Sequence, residues 1–120
     1  DLRRYDVSDP ANPRLTGRLW LGGLLGHESD AGRPLTGGPQ MLQLSYDGRR
    51  LYVTNSLLSS WDNQFYPDLR SYLLKVDIAD DGSMAVDPRC FVDFHDRSDG
   101  RARAHEVRLQ GGDSTSEVFT

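Results

Sequence analysis

Hydrophobic and polar positions alternate with a period of two along most of this chain. The clearest case is "GGPQMLQLSYDGRRLYVTNS", where Leu42, Leu44 and Tyr46 alternate with Gln43 and Ser45. Beyond Asp47-Gly48, Leu51 and Val53 alternate with Tyr52 and Thr54. Side chains on a strand point to opposite faces in turn, and Asp-Gly readily takes the left-handed backbone of a tight turn. The stretch therefore predicts a hairpin with one apolar face. A second run, "SYLLKVDIADDGSMAVD", predicts a strand over Ser71 to Ile78, a turn at Asp81-Gly82, and "RCFVDF" as the partner strand. Upstream, "DLRRYDVSDPANPRLTGRLWLGG" has the same form, with an Asp-Pro/Asn-Pro turn between two extended pieces.

"YDVSDPANPRL" and "KVDIADDGSMAV" thus read as equivalent elements of successive units, about seventy residues apart. That is long for one blade of a propeller, where about 40–45 residues are usual. "GHESDAGRPLTGG" and "SSWDNQFYPDLRS" are rich in Gly, Pro, Ser and Asp and account for the excess as loops. No segment sustains a helical period. The pattern predicts an all-β chain of four-stranded blades: the outer part of one, a nearly complete second, and the inner strand of a third. Such a piece buries little without its neighbours and leaves strand edges open, so the chain reads as a fragment that is not self-sufficient.

Composition narrows the partners. Of 120 residues, 14 are Lys or Arg and 18 Asp or Glu, a net charge of −4. Nucleic-acid binding needs a basic face, so the sign argues against it, and Arg3-Arg4 and Arg49-Arg50 read as solvated charges. No apolar run is long enough to span a membrane. The start, "DLRRYDVSDP", shows no signal peptide. Cys90, the single cysteine, excludes an internal disulfide and reads as a buried, inert thiol before Phe91 and Val92. Compartment stays open.

The chemistry rests on few residues. In "RARAHEVRL", Arg103, His105, Val107 and Leu109 share one face of an extended segment. His105 is then either a core histidine bonded to backbone or, at the start of an innermost strand, a side chain facing a propeller's central channel, where ligands gather from distant parts of a chain. His27 and His95 sit in polar contexts and read as solvent-facing loop residues. "DIADDGSM" lacks the ligand spacing and terminal Glu of a calcium loop and reads as an acidic turn. Trp61, Phe65 and Tyr66 in "SSWDNQFYPDL" either shape a ligand entrance or plug the loop onto a sheet. Ser114 and Ser116 have no base nearby, which leaves a hydrolase nucleophile unsupported.

Taken in order, "YDVSDPANPRLTG", "GGPQMLQLSYDGRRLYVTNS", "WDNQFYPDL", "LLKVDI", "FVDF" and "AHEVRLQGGDSTSE" resemble the C-terminal part of the selenium-binding protein family, whose members include methanethiol oxidases. The resemblance covers nearly the whole chain, residues 1–120. It implies the last blades of a seven-bladed β-propeller and a copper-dependent oxidase that converts methanethiol, O2 and water to formaldehyde, hydrogen sulfide and hydrogen peroxide. It makes His105 a copper ligand and Glu106 a candidate to support it from behind. Relatives often carry a cysteine where Ser114 stands, so a thiol role there is lost. The remaining ligands and the selenium-linked cysteine would lie in blades outside this chain, making it inactive alone. A non-catalytic propeller that binds selenium or a protein partner is the alternative that the same resemblance carries.

Overall fold

A computed structural model of the chain describes residues 1–24, 28–56, 58–95, 97 and 102–108. The first strands, β1 (Leu2–Asp6) and β2 (Arg14–Leu19), form a two-stranded antiparallel sheet. Their connection is held by short acidic residues. Asp9 accepts from the Ala11 amide and the Asn12 side chain, and Asp6 accepts from the Ser8 amide and pairs with Arg14 at 2.6 Å. Asp and Asn favour such turns because their side chains bond the backbone two or three residues on.

The second sheet is a four-stranded antiparallel meander, β3 (Met41–Leu44), β4 (Arg50–Thr54), β5 (Tyr72–Ile78) and β6 (Met84–Asp93), in that spatial order. Both predicted glycine turns are present, with Gly48 at φ 71° and Gly82 at φ 81°. In the first, Ser45 Oγ donates to Asp47, and the Arg49 amide donates to the same carboxylate, which is pushed down to about 2 by these bonds, the Ser45 hydroxyl first. Strand β6 begins earlier than "RCFVDF" suggests, because Met84, Ala85 and Val86 already pair with β5. The register then slips between Leu74 and Val76, where Asp87, Pro88, Arg89 and Cys90 bulge opposite Lys75. A proline lacks the amide a central strand needs, so its place on this edge strand is the physically permitted one.

Registry puts Leu42, Leu44, Leu51, Val53, Leu74 and Val76 on one face of the meander, as the alternation predicts. The first sheet and its following loop pack there: Leu2, Leu19, Leu21, Ala31 and Leu35 join Val53, Tyr72, Leu74 and Val76 in the core. Gly17 lets the Met84 methyl approach from β6, where a Cβ would stand only 3.3 Å from it. Coverage stops short of β3. Leu42 and Leu44 remain 50% and 36% exposed, whereas Gln43 and Ser45, on the other face, are 2% and 1% exposed. That second face also has something over it.

The described residues are all-β apart from one short helix, α1 (Ser59–Phe65), inside the stretch read as a loop. Seven residues are too few for a helical period to stand out in sequence.

Candidate functional site

Residues 102–108 run extended across the second face of the meander without joining it as a strand. Buried side chains hold the segment in place of a backbone ladder. The Ala104 amide donates to Ser71 Oγ at 2.8 Å, Thr54 Oγ1 donates to the His105 carbonyl, and the Val107 amide donates to Gln43 Oε1 at 3.1 Å. Ser71 immediately precedes β5, Thr54 ends β4, and Gln43 lies in β3, so the segment crosses the strands diagonally. All three anchors are at most 2% exposed. Buried polar groups must find partners, and here each meets a main-chain group of the crossing segment.

His105 is exposed in this chain, yet it bonds to backbone as the core-histidine alternative expects. Its Nδ1 lies 3.0 Å from the Ser56 carbonyl oxygen. A carbonyl only accepts, so Nδ1 carries the proton and donates. In the neutral ring this leaves Nε2 with its lone pair, and among the described residues nothing bonds to Nε2. A metal-binding histidine characteristically has its other ring nitrogen donating to a carbonyl or carboxylate. The ring thus fits copper, which accepts imidazole nitrogen. Glu106 turns elsewhere, pairing with Arg108 at 2.6 Å, and the Ser56 carbonyl is what holds the His105 ring. Among the described residues no group of three or more His, Cys, Asp and Glu side chains could hold a metal.

Helix α1 stands beside this segment. Arg103 donates to Asn63 Oδ1 at 2.6 Å, to the Leu69 carbonyl at 2.9 Å and to the Tyr66 carbonyl at 3.1 Å, tying the helix and its exit to the histidine segment. Ser56 Oγ donates to Asp62 at 2.6 Å from the other side. Ser56, His105 and Asp62 are thus neighbours, but the hydroxyl gives its proton to the carboxylate and the ring meets only the carbonyl. Ser56 is therefore not set up as a nucleophile, since that needs the ring as base to the hydroxyl. Trp61 and Phe65 are 63% and 61% exposed and meet edge to face. They do not plug the segment onto a sheet. Phe65 and Tyr66 instead line a shallow cleft with Leu24, Pro67, Asp68 and Leu69.

Of the other sequence candidates, Cys90 is half-buried on the edge strand rather than enclosed. His95 sits in the turn after β6, half-buried, with its amide bonded to Asp93. His27, Ser114 and Ser116 lie outside the described residues. Sequence reasoning missed Thr54, Ser56, Ser71 and Gln43. Gln43 and Thr54 carried one signal, polarity on strand positions whose opposite face was already apolar, whereas Ser56 and Ser71 lie just outside the strands and carried none.

A family model described as 56kDa selenium binding protein (SBP56) matches residues 1–120. Selenium-binding protein 1 of Arabidopsis thaliana is 44% identical, over 99% of this chain and 29% of its own length. Methanethiol oxidase of Homo sapiens is 45% identical, over 99% of this chain and 30% of its own length. A solved structure described as a hypothetical selenium-binding protein from Sulfolobus tokodaii is 52% identical, with a TM-score of 0.75, covering 94% of this chain and 24% of that one. The chain therefore spans less than a third of the length of these relatives.

Proposed function

The chain belongs to the 56 kDa selenium-binding protein family, and from that membership we propose that it is part of a copper-dependent methanethiol oxidase with His105 among the copper ligands. The reaction takes methanethiol, O2 and water to formaldehyde, hydrogen sulfide and hydrogen peroxide. Two electrons leave the thiol carbon, O2 takes them to become peroxide, and water supplies the carbonyl oxygen. Support for this activity comes from the relatives named methanethiol oxidase.

The observation that carries the reading is the His105 ring, with Nδ1 held by the Ser56 carbonyl and Nε2 free among the described residues. Bound copper would supply a centre that takes a soft thiolate and passes its electrons to oxygen. The chain's own part is to present one imidazole in a fixed tautomer. The other ligands are assigned to groups outside the described residues, and the 120-residue chain alone does not turn over methanethiol.

We assign the whole protein a seven-bladed β-propeller, with this chain as its C-terminal blades. A four-stranded meander with a sheet packed on one face and a further segment crossing the other supports that architecture. Relatives named only for selenium binding favour a second reading, a propeller that binds selenium or a protein partner without turnover.

The test is the copper content of the full-length protein and its sulfide release from methanethiol, for wild type and His105→Ala. Stoichiometric copper and sulfide release in wild type, both lost in the variant, are the expected outcome. Copper kept by the variant removes His105 from the ligand set. A wild type with neither copper nor sulfide release favours the binding propeller.

A further inference from the structure

Val53 and Thr54 end β4 side by side, both fully buried and both β-branched. Packing alone would be served as well by a second valine, so the hydroxyl of Thr54 needs its own explanation. It donates to the His105 carbonyl, 51 residues away in sequence. Two residues further along the same strand exit, the Ser56 carbonyl accepts from His105 Nδ1. A histidine held by its main-chain carbonyl and by one ring nitrogen has little freedom left about its two side-chain torsions, so the direction of Nε2 is set.

The strand exit is itself fixed. Asn55, between the two contacts, donates to the Thr36 carbonyl at 3.1 Å and the Arg70 carbonyl at 2.7 Å, and accepts from the Tyr72 amide at 2.8 Å. Ser56 Oγ is tied to Asp62 on α1. Thr54 and Ser56 therefore present their oxygens from a rigid base, and the neighbours of His105 are pinned on either side by Ser71 and Gln43.

We infer that Thr54 is a positioning residue for His105: its hydroxyl, by holding the His105 carbonyl, keeps the ring on the Ser56 carbonyl and aims Nε2. The relevance to copper rests on the reading of His105 as a ligand. The positioning itself does not. Groups that orient a metal ligand from behind change metal affinity by about 10- to 100-fold when removed.

The experiment compares Thr54→Val and Thr54→Ala, which lose the hydroxyl, with Thr54→Ser, which keeps it, in the full-length protein. Nitrogen-15 spectra of the histidine rings are recorded on metal-free protein, with the His105 signal assigned by its loss in His105→Ala. The expected result is a single Nδ1-protonated tautomer in wild type and Thr54→Ser, and a mixture in whichever hydroxyl-less variants fold. A competition titration with copper should then show affinity weakened at least about 10-fold without the hydroxyl, and within about threefold of wild type in Thr54→Ser. Thr54→Val or Thr54→Ala with the wild-type ring spectrum overturns the inference, as does Thr54→Ser with a mixed tautomer. Unchanged copper affinity in His105→Ala overturns the ligand reading instead, and the metal-free spectra still decide the role of Thr54.

Discussion

At the scale of single residues, the buried polar groups among the described residues divide into those that are used and one that is not. Every side-chain hydrogen-bonding atom of Asn55 has a partner, joining two loops to β5. Tyr72 is 1% exposed and stacks on Phe91 at 6.2 Å, yet its hydroxyl meets no partner among the described residues. Burial pushes that hydroxyl far above its usual pKa. A buried hydroxyl left unpaired costs about 1–3 kcal/mol, and phenylalanine would keep the ring and remove the cost. Tyr72→Phe is therefore expected to leave the urea midpoint unchanged or to raise stability by about 1 kcal/mol. A loss of that size would mean that the hydroxyl has a partner after all. The same scale shows where alternation misleads. It separated Leu42 and Leu44 from Gln43 and Ser45 onto the right faces, but gave no sign that the polar pair would be the better buried. Hydrophobicity records what a side chain prefers, not whether a distant segment such as 102–108 lies over it.

At the scale of elements, the turns were the most legible features, because a left-handed backbone position selects glycine by local sterics alone. Gly48 and Gly82 sit where the Asp-Gly pairs put them. Helix α1 and the bulge in β6 were not legible: the first is shorter than two turns, and the second depends on how β5 meets β6. Gly22, at φ 78°, illustrates a second reason for glycine that only the packed structure reveals. A Cβ there would lie 2.1 Å from the Leu35 carbonyl oxygen, a backbone atom that cannot swing aside, whereas a Cβ at Gly48 would meet nothing within 4 Å. Gly48→Ala should then cost only the strain of a left-handed L-residue, about 1–2 kcal/mol. Gly22→Ala adds a backbone collision and should cost more than about 3 kcal/mol. Urea unfolding of the two variants checks the order. Equal losses would show that the loop carrying Leu35 yields freely.

At the scale of the whole molecule, what matters is which surfaces the two sheets cover. Among the described residues, the first sheet packs over β4, β5 and β6 and not over β3, so Leu42 and Leu44, 50% and 36% exposed, stand next to a strand edge that no described strand pairs. Leu15 and Tyr5, 48% and 45% exposed on the first sheet, add to the apolar surface. An open edge flanked by apolar side chains invites pairing with another chain, and one inward charge is a common natural defence against it. Lys75 does not serve here, because it lies on the opposite face, bonded to Asp77 and Asp87 at 2.8 and 2.9 Å. Nor does a net charge of −4 over 120 residues provide strong mutual repulsion. The 120-residue chain should therefore associate as its concentration rises, and sedimentation velocity across a hundredfold range would register it. Leu42→Lys with Leu44→Lys places charge on that edge at positions already 50% and 36% exposed, so the loss of stability should be under about 1 kcal/mol per site. The double variant should remain monomeric where the wild type does not. Association unchanged by the two lysines would move the sticky surface elsewhere, and the exposed aromatic pair Trp61 and Phe65 on α1 would be the next to substitute.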